Sequence, residues 1–259
     1  MIIERYLIVT NIISENLLTI ICSVIVIISL CSIGLVKKKS KVPIELHKFL
    51  TVGALYYAKF SDSVKCADIN KLKSVVVAEN ATIQMLSNDW GIDSKEDAVK
   101  MITAGINGNI QANYIDRNLI ELKTMFDVTK CIENTEKAIG TKFDTAYAWD
   151  LERAAMLVRD SHSIGLLSEE ETIAYLKQII SKAQMVFESW EQYAVSFVVG
   201  RIIWLNLDSI EAGQNLITED STFYKFIGLL FGKKRLRSKK VKKTKYSLWK
   251  NYPLNEIEI

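Results

Sequence analysis

The chain has 259 residues, of which 49% are hydrophobic and 24% charged, with a formal net charge of +3. Only two prolines occur, Pro43 and Pro253, which fits long helices with short turns better than a turn-rich sandwich. Of the four cysteines, only Cys66 and Cys131 lie beyond residue 36, too far apart for a C-x-x-C or metal-like spacing, so a disulfide scaffold is excluded and free thiols in a reducing compartment are expected.

The first element is decisive for location. From Asn16 to Val36 no residue is charged, and Lys37, Lys38, Lys39 and Lys41 follow at once. A helix of about 20 residues, at about 1.5 Å per residue, spans the roughly 30 Å of bilayer hydrocarbon. A cleaved signal peptide wants a basic leading region and a shorter apolar stretch, whereas Glu4, Arg5 and Glu15 precede this one. Leu30 before Cys31 is a poor fit to a lipoprotein site, and a buried helix of a soluble domain would carry a polar stripe. The reading is a transmembrane helix over 17–36 after a short extracytoplasmic N-terminus, 1–16. The lysines place the remainder on the cytoplasmic side by the positive-inside rule.

A helical domain is expected over 42–222. A helix after Pro43 puts Leu46, Phe49, Leu50, Gly53, Ala54 and Tyr57 on one face. A second covers about 71–87, with Val75 to Val77 readable instead as a short strand. Trp90-Gly91-Ile92 marks a turn, and Asp93 with Glu96 reads as a capping box that starts the next helix. The Gly- and Asn-rich 105–116 reads as a loop, followed by a helix around 117–139. Residues 144–160 are helical through Ala148, Trp149, Ala155 and Leu157, and Ser168 with Glu171 forms a second capping box. The helix after it carries Ile173, Leu176, Ile180, Ala183 and Phe187 on one stripe, and a last helix carries Trp190, Tyr193, Ala194, Phe197, Arg201 and Trp204. Three helices with short connections predict an antiparallel bundle, so the fold class is all-α: one transmembrane helix and a multi-helix domain.

Residues 223–259 read as an amphipathic, polybasic tail. FYKFIGLLFG (223–232) is too short to span, and Lys233, Lys234, Arg235, Arg237, Lys239, Lys240, Lys242, Lys243 and Lys245 follow with no acid among them. Without those nine cations and the four lysines of 37–41, the net charge of the rest is −10. An anionic leaflet attracts each nearby cation by about 1 kcal/mol, so the expected contact of these nine residues is the membrane surface. Tyr246, Trp249 and Tyr252 beside the run offer base stacking, but a chain fixed to a membrane disfavours nucleic acid.

One polar cluster stands inside an apolar stripe. Arg201 shares a face with Trp190, Phe197 and Trp204, and a buried Arg needs a paired acid. Asp150 is its expected partner, and Arg153, three residues on, also reaches Asp150 within the helix. Asp150, Arg153 and Arg201 therefore form the candidate site, read first as a structural network and second as an anion pocket or a catalytic carboxylate. Other templates fail: His47 and His162 lack metal-ligand spacing, and no P-loop, G-x-S-x-G or G-x-G-x-x-G occurs. His162 reads as a helix-end residue that complements the dipole. No metal or cofactor is expected, and no catalytic residue is assigned.

These residues also carry a resemblance. Trp90-Gly91-Ile92, Ala148-Trp149-Asp150 with Arg153, Gly165 with SEEE (168–171), Ser189-Trp190, and Gly200-Arg201 with Trp204 resemble a bacterial domain-of-unknown-function family, the YbeU/YbeR-like proteins, over about 78–206. That family usually has Gly where this chain has Glu152, and an aromatic near His162. The resemblance implies a helical bacterial domain, and hence an inner-membrane location, with no activity attached. The expected function is a binding, regulatory or accessory protein, of the immunity type for example, with a protein partner. The alternatives are a membrane-associated enzyme using Asp150, Arg153 and Arg201, and a nucleic-acid binder using the basic tail.

Overall fold

Helix-forming runs separated by short Gly- and Ser-containing turns close into an all-α fold, with no strand among the described residues. The computed structural model describes residues 44–58, 79–125, 128–208 and 248–259. All fall in one compact unit, Val42–Ile259. The expected N-terminus 1–16, the expected span 17–36 and the basic residues Lys233 to Lys245 lie outside the described residues. Among the described residues, no helix is long and apolar enough to cross a membrane.

A 3-10 helix, Ile44–Leu50, opens the fold and is followed by α1 (Ala54–Ala58), α2 (Glu79–Trp90), α3 (Lys95–Ile106), α4 (Ala112–Met125) and α5 (Val128–Ile139). Then come α6 (Tyr147–Ser163), α7 (Glu169–Val186), α8 (Trp190–Asp208), α9 (Leu248–Asn251) and a final 3-10 turn, Leu254–Glu256. The continuous helix expected after Pro43 is broken at Gly53, whose φ of +78° is left-handed and cannot continue a right-handed helix. The helix expected at 71–87 is described from Glu79 to Trp90, while Val75 to Val77 lie outside the described residues. The expected loop at 105–116 shrinks to the turn 107–111, and the single helix expected around 117–139 is two helices, α4 and α5. The cap of α3 is Ser94, not Asp93: its hydroxyl accepts from the Asp97 amide at 3.2 Å, one residue later than expected. At α7 the capping box falls as expected, with Ser168 and Glu171 bonding each other's amides.

The centre of the domain is α6. Every residue from Ala148 to Ser161 is buried, and α6 packs on α1, α2, α3, α4, α7 and α8. The three consecutive helices of the expected bundle are present, but α7 and α8 both pack on α6 rather than chiefly on each other. Two glycines allow close approach to α6. A Cβ on Gly200 would lie 2.7 Å from Trp149 Cβ, and one on Gly105 would lie 2.8 Å from Ala154 Cβ.

The C-terminal residues expected to belong to the tail are part of this fold. Leu248, Trp249, Leu254 and Ile257 are buried. The Trp249 indole stacks on Trp190 at 4.9 Å and 4°, and its Nε1 donates to the Thr51 carbonyl at 2.9 Å. Gln184 Nε2 donates to the carbonyls of Leu254 and Ile257, and Lys48 Nζ to that of Glu258 at 2.6 Å. Trp249 therefore presents no free face to a base.

Gly200→Ala and Gly105→Ala are each expected to destabilise the protein by about 1–3 kcal/mol through overpacking, which outweighs the smaller gain in helix propensity. Urea unfolding of the intact chain in mild detergent measures this. Midpoints equal to that of the parent would show that α8 and α3 can move off α6 without cost.

Candidate functional site

The buried helix α6 carries five charged residues, Asp150, Glu152, Arg153, Arg159 and Asp160. A buried charge survives only if it is paired or hydrogen-bonded, and the first two carboxylates meet that requirement in the same way. Asp150 Oδ2 accepts from the amides of Ile110, Gln111 and Ala112 at 2.9, 2.9 and 3.1 Å. Those are the amides at the start of α4, which have no partner within that helix. The helix dipole adds to the attraction. Asp150 Oδ1 takes the Gln111 amide at 3.1 Å and the Arg153 guanidinium at 2.7 Å.

Asp116 of α4 returns the favour. Its carboxylate accepts from the Ala146 amide at 2.8 Å and from the Thr145 hydroxyl, at the start of α6. Ala146 has no side chain able to cap that helix. The Ala148 amide is satisfied by the Ser196 hydroxyl of α8 at 2.9 Å. So α4 and α6 cap each other, through Asp150 in one direction and Asp116 in the other.

Glu152 repeats the device two residues on, toward a different side of α6. Its Oε1 accepts from the Gly53 amide at 2.8 Å and the Tyr193 hydroxyl at 2.9 Å, and its Oε2 from the Tyr56 amide at 2.9 Å. The carboxylate thus holds the turn that begins α1. Burial pushes its pKa up to about 7, against the lowering effect of those donors. Burial, with the Glu152 charge beside it, also pushes the Tyr193 hydroxyl well above its usual range.

The three expected site residues are placed as follows. Asp150 and Arg153 form the expected ion pair. The Arg153 guanidinium lies 4.7 Å from the Trp149 ring centroid and 5.7 Å from that of Trp90, a cation–π arrangement on both. Burial lowers the Arg153 pKa, and Asp150 opposes that shift. Arg201 is buried as expected, at 8% exposure, but it is not among the partners of Asp150, whose acceptors are filled by backbone amides and Arg153. Arg201 is instead close enough to Tyr56 for its charge, with that of Arg153, to favour the phenolate. Burial outweighs both and pushes the Tyr56 hydroxyl up to about 12.

Sequence reasoning missed Glu152, Asp116 and Tyr193. No local signal separates Glu152 from a surface acid, since three of the ten residues of Ala148–Leu157 are charged; its burial comes from the helices packed around α6. His162 is at the helix end, as expected, with Nδ1 3.0 Å from the Leu167 carbonyl oxygen. No group of three His, Cys, Asp or Glu able to hold a metal occurs among the described residues. A cavity of about 180 Å³ lies over the turn before α4, lined in part by Ile110, Gln111 and Arg117. The amides of Ile110 and Gln111 already point to Asp150, so they are not available to an anion there.

An all-α domain built around a buried polar helix that exchanges caps with a neighbouring helix is what these residues define. The chain belongs to the family described as "Protein of unknown function (DUF1266)", whose model matches residues 85–253. That match continues past α8 and takes in α9 with Trp249. Comparison with curated proteins and with solved structures gives no significant match.

Two measurements test the network. Asp150→Ala strands Arg153 and the amides of α4, and is expected to destabilise the protein by about 3–5 kcal/mol. Amide hydrogen exchange at Ile110 to Ala112 should speed up in the same variant. An unchanged urea midpoint would remove the structural role. For Glu152 the sign follows from its raised pKa. The folded state holds the proton up to about pH 7, whereas the unfolded chain releases it near 4.5. Its contribution to stability is therefore full below pH 4.5 and is lost as pH rises to about 7, by roughly 3 kcal/mol. Glu152→Gln should lack that part of the slope when unfolding is followed from pH 4 to 8. Parallel curves for variant and parent would contradict it.

Proposed function

We propose that this DUF1266 chain is a single-pass bacterial inner-membrane protein with a cytoplasmic domain that binds a protein partner, as a regulatory or accessory component rather than an enzyme. Within the family, the order Trp90-Gly91-Ile92, Ala148-Trp149-Asp150 and Gly200-Arg201 favours the YbeU/YbeR-like members. The observation that carries binding over catalysis is the use of both core carboxylates. Asp150 and Glu152 are each 0% exposed, and their oxygens accept from backbone amides, Arg153 and Tyr193. A general base or nucleophile must reach a substrate atom within hydrogen-bond distance, and neither carboxylate has an acceptor direction turned outward.

The anchoring half rests on the sequence: the uncharged 17–36, the four lysines after it, and the nine cations of 233–245. The first sets the span, the second the orientation, and the third supplies attraction to an anionic leaflet. A reporter active only outside the cytoplasm, fused after Ile259, is expected to stay silent. The protein is expected to remain in the membrane pellet after an alkaline wash. An active reporter would reverse the orientation, and release by the wash would remove the anchor.

A further inference from the structure

Residues 44–58 are tied to the rest of the domain by two sets of hydrogen bonds that meet at Gly53. Before it, Lys48 Nζ donates to the Glu258 carbonyl, and Trp249 Nε1 donates to that of Thr51. From Gly53 onward, the amides of Gly53 and Tyr56 both end on the Glu152 carboxylate. Gly53 itself has a φ of +78°, a turn that a helix cannot carry through. Beyond it α1 has only five residues, too few to be stable as a helix alone. Its place on α6 therefore depends on what it touches there, and Glu152 supplies the acceptors.

That acid has no cation to neutralise it. It is fully buried and forms no ion pair among the described residues. The groups facing it are the Tyr193 hydroxyl of α8, which donates to it at 2.9 Å, and Tyr56 of α1. Arg159 of α6 reaches the same turn, its Cδ 3.8 Å from where a Gly53 Cβ would stand. The charges of Arg153 and Asp160 on α6, Arg201 on α8 and Asp89 on α2 act on the nearby Tyr56 hydroxyl. Asp150 is given over to the α4 amides and Arg153. Two effects compete at Glu152. Its three donors favour the charged form, whereas an unpaired charge away from water is costly. Burial wins, and the proton is held up to about pH 7. In the neutral acid both amides still have their acceptor, and the Tyr193 oxygen is in reach of the proton. Once that proton passes to water, the remaining charge is relieved by hydration when α1 lifts.

We propose that α1 is a proton-linked latch: release of the Glu152 proton lets Ala54–Ala58 swing away about Gly53, and its return closes them on α6. The closed form binds the proton more tightly than the open form, so closure is favoured at low pH and opening grows as pH rises from 4.5 through about 7. Between about pH 4.5 and 8 the opening constant should rise about a hundredfold. Turning a latch from 1:99 to 99:1 needs about ten-thousandfold, so the response is graded. This goes beyond the binding-protein reading and depends neither on it nor on the anchor.

The test is amide hydrogen exchange of the intact chain in mild detergent over that pH range, corrected for the chemical effect of pH on exchange. The amides of Gly53 and Tyr56 should be less protected than those of Leu157 and Val158 in α6 by about tenfold or more. Their protection should fall about a hundredfold as pH rises. Glu152→Gln should flatten that fall, whereas His47→Gln, which removes the segment's histidine, should leave it in place. A second measurement needs no variant: the carboxyl carbon resonance of Glu152 should titrate with a midpoint near 7. Equal protection in α1 and α6 would overturn the proposal, because α1 would then open only with the whole domain. So would protection independent of pH, a slope lost with His47 rather than Glu152, or a carboxyl midpoint at or below 4.5. Should Glu152→Gln not fold, the parent's carboxyl midpoint and its α1 slope decide between the same two outcomes.

Discussion

The domain depends on a carboxylate that lies on one helix and caps another. Asp150 sits in the first turn of α6, fully buried, where an ion would normally be too costly to keep. What makes it tolerable is the start of α4, three amides that would themselves be unsatisfied away from water. Each group removes the desolvation problem of the other. Asp116 applies the same solution in reverse, so the relative position of α4 and α6 is fixed by directional bonds at both ends of the contact. Glu152 then ties the turn at Gly53 to α6 and, through the Tyr193 hydroxyl, to α8. Apolar packing alone would let α6 slide or rotate, because its neighbours surround it. These bonds select one register.

The network has costs as well. Trp149 Nε1 and Arg153 Nε are buried with no hydrogen-bond partner among the described residues, and each such donor costs about 1–3 kcal/mol. Cation–π contact with Trp90 and Trp149 offsets part of the burial of Arg153. A polar core of this kind is weak evidence for high stability and better evidence for a defined arrangement, which is the use that a binding scaffold makes of it. The contact between residues 48–51 and the C-terminal segment has the same character. Trp249 reaches Thr51, and Lys48 reaches Glu258, so segments about 200 residues apart in sequence close on one another.

The helices with strong local signals were legible in the sequence. The Ser168–Glu171 box, the stripe through Leu176, Ile180 and Ala183, and the burial of Arg201 all follow from spacing and capping chemistry. The single-residue shift from Asp93 to Ser94 shows the limit of that chemistry, since two adjacent good caps differ only in which one the fold can use. The 107–111 turn was read as too long because Asn113 and Tyr114 look like loop residues locally. Their helix starts there because Asp150, about 40 positions away, supplies the acceptor for its first amides. The break at Gly53 was missed for the same reason, its acceptor being Glu152.

Partner choice for the buried charges was legible only in part, and the reason is physical. Asp150 and Arg153 are three residues apart on one helix, so their pairing is set by helix geometry. The expected pairing of Arg201 with Asp150 assumed that side-chain charge is the main competitor for a buried carboxylate. Backbone amides at a helix start compete as well as a cation does: they are fixed in place, they lose no rotamer freedom, and their dipoles already point at the acceptor. An acid in the middle of an apolar helix is therefore as informative about a neighbouring helix N-terminus as about a neighbouring Arg. On that basis Glu152 marks the turn at Gly53, which it ties to the helical core through the Gly53 and Tyr56 amides.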